Sequence, residues 1–256
     1  MIGTVYKSAL RDFIRPGRIV VWVMISLIIG LIAMVWMRLS SKQPPLVVYG
    51  QVIEVFVFRV LALVSAIFST MVISQELDQK TIVYLTTRPI PRPVMIGARM
   101  LASMTISALI AMISVLFAGL FTVGPGILGH AGFWNDLVLM ALGASAYGAL
   151  FVFIGLLLNK AMIYCLLFAF GWETFVPNMP GDLFYVSIYP YLKGLSVNPE
   201  PEKVQGFFRV MSGSLQEHTV GKPLSVIILV AIAVAFSLLS LYWFNKHEYV
   251  ARDDAD

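Results

Sequence analysis

Residues 76–99 read ELDQKTIVYLTTRPIPRPVMIGAR, a charged, proline-rich stretch that lies between two long apolar segments. This stretch carries four of the chain's eighteen Lys and Arg residues. Over the whole sequence, 59% of residues are hydrophobic and 12% are charged, and the mean hydropathy is +0.86. Such a composition is typical of a polytopic membrane protein. We therefore expect residues 76–99 to form a loop between two membrane-spanning helices.

Apolar runs on both sides of this loop predict six membrane-spanning helices. The first run has no charged residue over nineteen positions, enough to cross a hydrocarbon core roughly 30 Å thick at about 1.5 Å per residue. The predicted spans are residues 19–37, 55–74, 100–123, 137–159, 161–176 and 223–245. Residues 1–256 then form a single all-α integral membrane domain. Residues 39–50 are predicted as a short loop, 75–99 as the loop between spans two and three, and 177–222 as an outer loop.

An amphipathic helix is predicted ahead of the first span, over residues 1–18. Apolar residues recur at helical spacing on one face, and Lys7, Arg11 and Arg15 lie on the opposite face. Pro16 and Gly17 are typical of a helix end. We expect this helix to lie in the membrane surface, with its cations against anionic lipid headgroups.

The distribution of Lys and Arg predicts that both termini are cytoplasmic. With that orientation, the cytoplasmic segments hold eleven Lys and Arg residues and the outer segments hold six. Loops rich in Lys and Arg are retained on the cytoplasmic side, so residues 75–99 are expected to be cytoplasmic. The basic residues fall at the ends of apolar runs, and the net charge of +4 therefore indicates topology and lipid contact rather than nucleic-acid binding.

Within the loop, Asp78 can cap a short helix over residues 79–86, because a carboxylate stabilises the free backbone amides at a helix start. Pro89, Pro91 and Pro93 prevent that helix from continuing. The sequence therefore predicts a short cytoplasmic helix followed by a stiff extended segment.

The order of residues in this loop resembles that of the ABC-2 type permeases, the membrane subunits of one class of ATP-driven exporters. Lys80 stands where that family usually has Gly, and Pro91 stands where it usually has Ser. The N-terminal helix, the six-span layout and residues 172–192, WETFVPNMPGDLFYVSIYPYL, extend the resemblance over nearly the whole chain. The loop residues that carry it are Glu76, Thr81, Leu85, Thr87, Pro89, Ile90, Arg92 and Arg99.

The resemblance implies that the loop contains a coupling helix, which docks on a separate ABC ATPase subunit. The chain has no G-x-x-x-x-G-K-[ST] phosphate loop, so ATP and Mg²⁺ would be bound by the partner. The chain is expected in the cell membrane, as a bacterial inner-membrane protein, together with a second copy of itself or a paralogue and with two ATPase subunits. The expected coupling residues are Glu76, Thr81, Ile82, Leu85, Pro89 and Arg92.

Three charged residues in or beside the predicted spans are candidates for a substrate path or for a structural role inside the membrane: Glu54, Arg59 and Glu173. A charged side chain at the centre of a spanning helix costs roughly 2.5 to 3.5 kcal/mol on insertion scales, so it usually faces protein or water. Arg59 lies about 6 Å into its span and can extend to the headgroups. Glu173 can satisfy backbone amides where Pro177 and Pro180 break the helix, or it can line an export path.

Other classes of protein fit the sequence less well. An intramembrane serine protease needs a Ser with a His base, yet His130, His218 and His247 fall in predicted loops or in the tail. A zinc protease needs H-E-x-x-H, and Ala251 stands where the second His would be. An ATPase-independent pore-forming or accessory membrane protein is the alternative that stays open. The identity of the cargo is not specified by the sequence.

Overall fold

The computed structural model describes residues 2–14, 16–39, 43–78, 92–179, 182–199 and 220–247, and within these ranges the chain is helical without a strand. The predicted all-α class is confirmed for this part of the protein. The α-helices are α1 (Ile2–Phe13), α2 (Pro16–Leu39), α3 (Pro45–Val52), α4 (Phe58–Asp78), α5 (Arg92–Thr122), α6 (Ala131–Leu157), α7 (Ala161–Leu167), α8 (Glu173–Phe175), α9 (Tyr189–Leu195) and α10 (Lys222–Lys246).

In the described part of the chain, five helical stretches are long and apolar enough to cross a membrane: Gly17–Leu39, Pro45–Val72, Pro93–Thr122, Ala131–Leu157 and Lys222–Lys246. They overlap five of the six predicted spans. The stretch predicted as the fifth span, residues 161–176, is helical but irregular. A π-helical turn, Phe168–Trp172, separates α7 from α8, and a 3-10 turn, Val176–Asn178, follows α8.

The second, third and fourth spanning helices begin earlier than the sequence indicated, the fourth at Ala131 instead of residue 137. The second begins at Pro45 instead of residue 55, because residues 45–50, expected to be a loop, are helical. A π-helical turn, Ile53–Val57, joins α3 to α4. The third begins at Arg92 instead of residue 100. The second and third spanning helices have proline in their first turn, where the missing backbone N–H costs nothing.

The centre of the bundle is α4, which packs against α5, α6 and α7, while α2 packs on α5 and α10 packs on α6. One apolar cluster includes Tyr49, Phe133 and Leu192, close to the ends where α3 and α6 begin. A second cluster includes Phe68 and Ile96, close to the end of α4 and the start of α5. These two groups of helix ends therefore mark opposite ends of the bundle. Most large apolar side chains of α2 and α10 are exposed.

Of the helix predicted at residues 1–18, α1 covers Ile2–Phe13, while Pro16 and Gly17 begin the first spanning helix. Helix α1 packs against α5. Ala9 and Phe13 are buried, and the Phe13 ring meets Phe68 edge to face with 5.9 Å between ring centroids. Lys7 and Arg11 are exposed. The apolar face of α1 is thus covered mainly by protein, while two of its cations point outward.

Candidate functional site

Glu173 is the first residue of α8, and it is 1% exposed. Its Oε2 accepts hydrogen bonds from the Ser187 hydroxyl at 2.7 Å and from the Tyr189 backbone amide at 2.9 Å. Its Oε1 accepts a hydrogen bond from the Ile188 backbone amide at 3.1 Å. The carboxylate therefore bonds to the backbone at the start of α9, and not to amides beside the two prolines that follow it in the sequence.

Arg59 lies in α4 and is buried among protein groups. Its Nη1 donates a hydrogen bond to the backbone carbonyl of Glu173. Its guanidinium lies 4.9 Å from the centre of the Tyr189 ring, an arrangement in which the ring's negative face attracts the cation. The expectation that Arg59 can extend to the lipid headgroups is wrong, because the side chain is buried and its Nη1 donates inside the bundle.

Glu54 lies in the π-helical turn Ile53–Val57, inside a spanning helix and not at its boundary. Its Oε2 lies 3.9 Å from Nζ of Lys193 in α9, and their side chains are only 12% and 17% exposed, respectively. Ion pairs with so little contact with water are screened weakly by salt. The structure thus gives Glu54 a cationic partner on a distant segment.

Asp136 is a further buried acid, which the sequence reading placed only at the edge of a span. It lies in α6 and is 0% exposed. Its Oδ2 accepts a hydrogen bond from the Tyr49 hydroxyl at 2.8 Å and another from Asn198 Nδ2 at 3.0 Å. These partners are 87 and 62 residues away in the sequence, so no local spacing could have revealed the cluster. The sequence shows only that Asp136 directly precedes an apolar run.

Replacing Tyr49 by Phe is expected to lower the free energy of unfolding by about 1–3 kcal/mol, because the buried Asp136 carboxylate loses one of its two donors. The measurement is an unfolding titration in mixed detergent micelles. The matched control is Tyr242→Phe, which removes the same hydroxyl from an exposed side chain of α10. Equal stabilities of the two variants would contradict a structural role for the Tyr49 hydrogen bond.

Of the residues expected to contact an ATPase, the structure places only the backbones of Glu76 and Arg92. Glu76 lies two residues before the end of α4, and Arg92 is the first residue of α5. The predicted coupling helix falls outside the described residues. Outside the described residues lie the side chains of Glu76 and Arg92 and the whole of Thr81, Ile82, Leu85 and Pro89.

Arg99 lies near this loop and is described. Its Nη1 donates a hydrogen bond to the backbone carbonyl of Val72 in α4 at 3.0 Å. Its Nη2 lies 3.9 Å from Oδ2 of Asp12 in α1. Arg99, itself in α5, therefore connects three helices close to the two ends of the loop.

A bundle of apolar helices whose buried charged side chains lie among other protein groups is the architecture of a polytopic integral membrane protein. Within the described ranges, no group of three or more His, Cys, Asp or Glu side chains could hold a metal ion. Residues 16–186 match the family described as ABC-2 family transporter protein. The chain belongs to this family, and it is a transmembrane permease subunit of an ABC transporter. A comparison with curated proteins finds no match.

Proposed function

We propose that this chain is the membrane subunit of an ABC exporter, driven by ATP that a separate pair of ATPase subunits hydrolyses. Membership of the ABC-2 transporter family over residues 16–186 is the observation that carries the proposal. The lack of a phosphate-loop motif in the sequence agrees with it. ATP and Mg²⁺ would bind in the partner subunits, and this chain would bind neither.

The contacts of Arg99 support a coupling role for residues 75–99. Because Arg99 bonds to Val72 and lies beside Asp12, a displacement of the loop would act on α1, α4 and α5 together. Closure of the ATPase pair on ATP would move the coupling helix and shift the spans between inward-open and outward-open states. The residues that would contact the ATPase are Glu76, Thr81, Ile82, Leu85, Pro89 and Arg92.

The irregular stretch over residues 161–178 would supply a sixth membrane crossing. Its eighteen residues would extend about 27 Å as a regular helix, close to the thickness of roughly 30 Å of a hydrocarbon core. Irregular backbone at membrane depth is tolerated where protein groups satisfy it, and Arg59 bonds to the carbonyl of Glu173 at this point. Six crossings place both termini on one side, and the excess of Lys and Arg in the loops favours the cytoplasmic side.

A second copy of the chain, or a paralogue, would cover part of the exposed apolar surface. The exposed faces of α2 and α10 offer more apolar area than a water-soluble surface carries, and the remainder would face lipid. An apolar cavity between two copies would suit a hydrophobic or amphipathic cargo. Lys7 and Arg11 of α1 would lie at the level of anionic headgroups.

The test is a pull-down of the full chain in detergent. We expect an ABC ATPase subunit to co-purify, and Arg92→Glu to reduce its recovery by roughly tenfold or more, because charge reversal at a docked ion pair costs several kcal/mol. The matched control is Lys160→Glu, which reverses an exposed charge on the same predicted side of the membrane but outside the loop. This control is expected to recover the ATPase at the level of the unsubstituted chain.

A chain that purifies without an ATPase, with or without the substitution, would contradict the proposal. The ATPase-independent pore-forming or accessory role would then be the better account. Equal loss of the ATPase in both charge reversals would instead contradict the assignment of the docking surface to residues 75–99.

A further inference from the structure

The backbone carbonyl of Glu173 sits where a proline interrupts the helical hydrogen-bond ladder. In a continuous α-helix this oxygen would accept a bond from the N–H of residue 177, but residue 177 is proline, which has no N–H. The chain is still helical at this point, since Phe175 and Val176 have α-helical dihedral angles. Because Glu173 is buried, the donor must come from another protein group.

Side chains supply the donors at this break. Arg59, in α4, donates from its Nη1 to the carbonyl oxygen of Glu173. Asn178 donates from its Nδ2 to the next carbonyl oxygen, that of Thr174, at 2.8 Å. Arg59 therefore takes the place of the N–H that Pro177 lacks, and Asn178 supports the neighbouring carbonyl.

A π-helical turn brings an acid to the side of the second spanning helix on which Arg59 is buried. The turn covers Ile53–Val57, and the N–H of Phe58 bonds to the carbonyl of Ile53, five residues earlier. In a regular α-helix, Glu54 and Arg59 would point about 140° apart. Residues five positions apart come to the same side of a π-turn, because its hydrogen bonds join residues i and i+5.

The contacts of α9 show that the two charges do share one side. Glu54 Oε2 lies 3.9 Å from Lys193 Nζ, and the Arg59 guanidinium lies 4.9 Å from the centre of the Tyr189 ring. Tyr189 and Lys193 are four residues apart in α9, so they lie on one face of that helix. An acid on the same side lowers the cost of burying the Arg59 cation.

We propose that Arg59 is a positioning residue, which replaces the backbone donor absent at Pro177 and thereby ties the broken helix, residues 161–178, to α4. Arginine suits this role because its long side chain reaches a neighbouring helix and stays protonated. A residue with an N–H at position 177 would satisfy the carbonyl within its own helix and make the tie dispensable. The tie needs neither an ATPase nor a cargo, so its test is independent of the proposed function.

The experiment is a double-mutant cycle in the full chain, measured by thermal unfolding in detergent. Arg59→Met keeps a long side chain and removes its donors. It is expected to lower the unfolding midpoint by roughly 5 °C or more, because a buried carbonyl is left without a donor. In a Pro177→Ala background, which restores the N–H, the same substitution is expected to lower the midpoint by roughly half as much or less.

The matched control is Pro223→Ala. Pro223 is exposed and lies in the first turn of α10, where the missing N–H is harmless, so this change is expected to leave the effect of Arg59→Met unaltered. If Arg59→Met alone gives no folded protein, recovery of a folded chain by Pro177→Ala but not by Pro223→Ala is the expected rescue.

Backbone hydrogen exchange supplies a second readout, which a general loss of charge or packing at Arg59 would not produce. In the double variant, Arg59→Met with Pro177→Ala, the new amide of residue 177 is expected to exchange roughly tenfold or more slowly than an unstructured amide, because it bonds to the carbonyl of Glu173.

Equal effects of Arg59→Met with and without Pro177→Ala would overturn the proposal. An amide at residue 177 that exchanges at the rate of an unstructured chain would also overturn it. Failure to recover an ATPase in the pull-down would contradict the proposed function and leave the tie between Arg59 and the broken helix standing.

Discussion

Glu173→Gln is expected to lower the free energy of unfolding by about 2–4 kcal/mol, because a buried carboxylate that accepts at least three hydrogen bonds is replaced by an amide. The amide keeps one oxygen, while its NH₂ group faces donors: either the Ile188 amide, or the Ser187 hydroxyl and the Tyr189 amide. At least one buried donor is therefore left without an acceptor. The measurement is the unfolding transition in mixed micelles, with thermal unfolding in detergent as a second readout.

The matched control for this prediction is Asp12→Asn. Asp12 is 51% exposed and lies 3.9 Å from Arg99, an ion pair of the exposed kind that contributes about 0–1 kcal/mol. A role of Glu173 on the export path makes a different prediction: unfolding would match the control, while ATP turnover by the assembled complex would change. Loss of stability with unchanged turnover would count against the export-path role.

Gly194→Ala is expected to destabilise the protein by about 1–3 kcal/mol, the usual cost of forcing an extra methyl group into a packed site. A Cβ at this position would lie 2.6 Å from the carbonyl oxygen of Val220 and 2.9 Å from Ser225 Oγ. The first of these atoms belongs to the backbone, so it cannot move aside by a change of rotamer. The extra methyl group would separate α9 from the start of α10.

Gly97→Ala is the control for this substitution. The nearest atom to a Cβ at Gly97 is Leu241 Cδ2 at 3.6 Å, an ordinary contact distance, and Gly97 lies inside α5. Exchange of Gly for Ala in a helix interior stabilises by about 0.5–1 kcal/mol. Unfolding transitions that shift in the same direction for both variants would contradict the steric argument for Gly194.

The membrane class and most of the spanning helices could be predicted from the sequence because hydropathy is a property of consecutive residues. The run without charge in the first span and the periodicity of residues 1–18 correspond to α2 and α1. The start of the second span was misplaced for a related reason. In a hydropathy profile, Glu54 marks the boundary of the span. In the structure, the helix begins at Pro45, and Lys193 lies beside Glu54 inside the bundle.

The candidate site was predicted only in part. Glu54, Arg59 and Glu173 stand out in the sequence because a charge inside an apolar run is rare, but their spacing does not identify their partners. Arg59 meets the carbonyl of Glu173 across 114 positions of sequence. Asp136 was missed, because a carboxylate next to an apolar run looks the same whether it faces water or is buried.

The sequence by itself determined the membrane class, the family and the chemical identity of the charges within the spans, since each depends on local composition or on the order of nearby residues. Only the tertiary structure decided that Glu54, Asp136 and Glu173 all contact one segment, residues 187–198. The physical reason is that a buried acid must be satisfied by a donor or a cation, and any of many distant groups could supply one. Which group does so depends on how the helices pack.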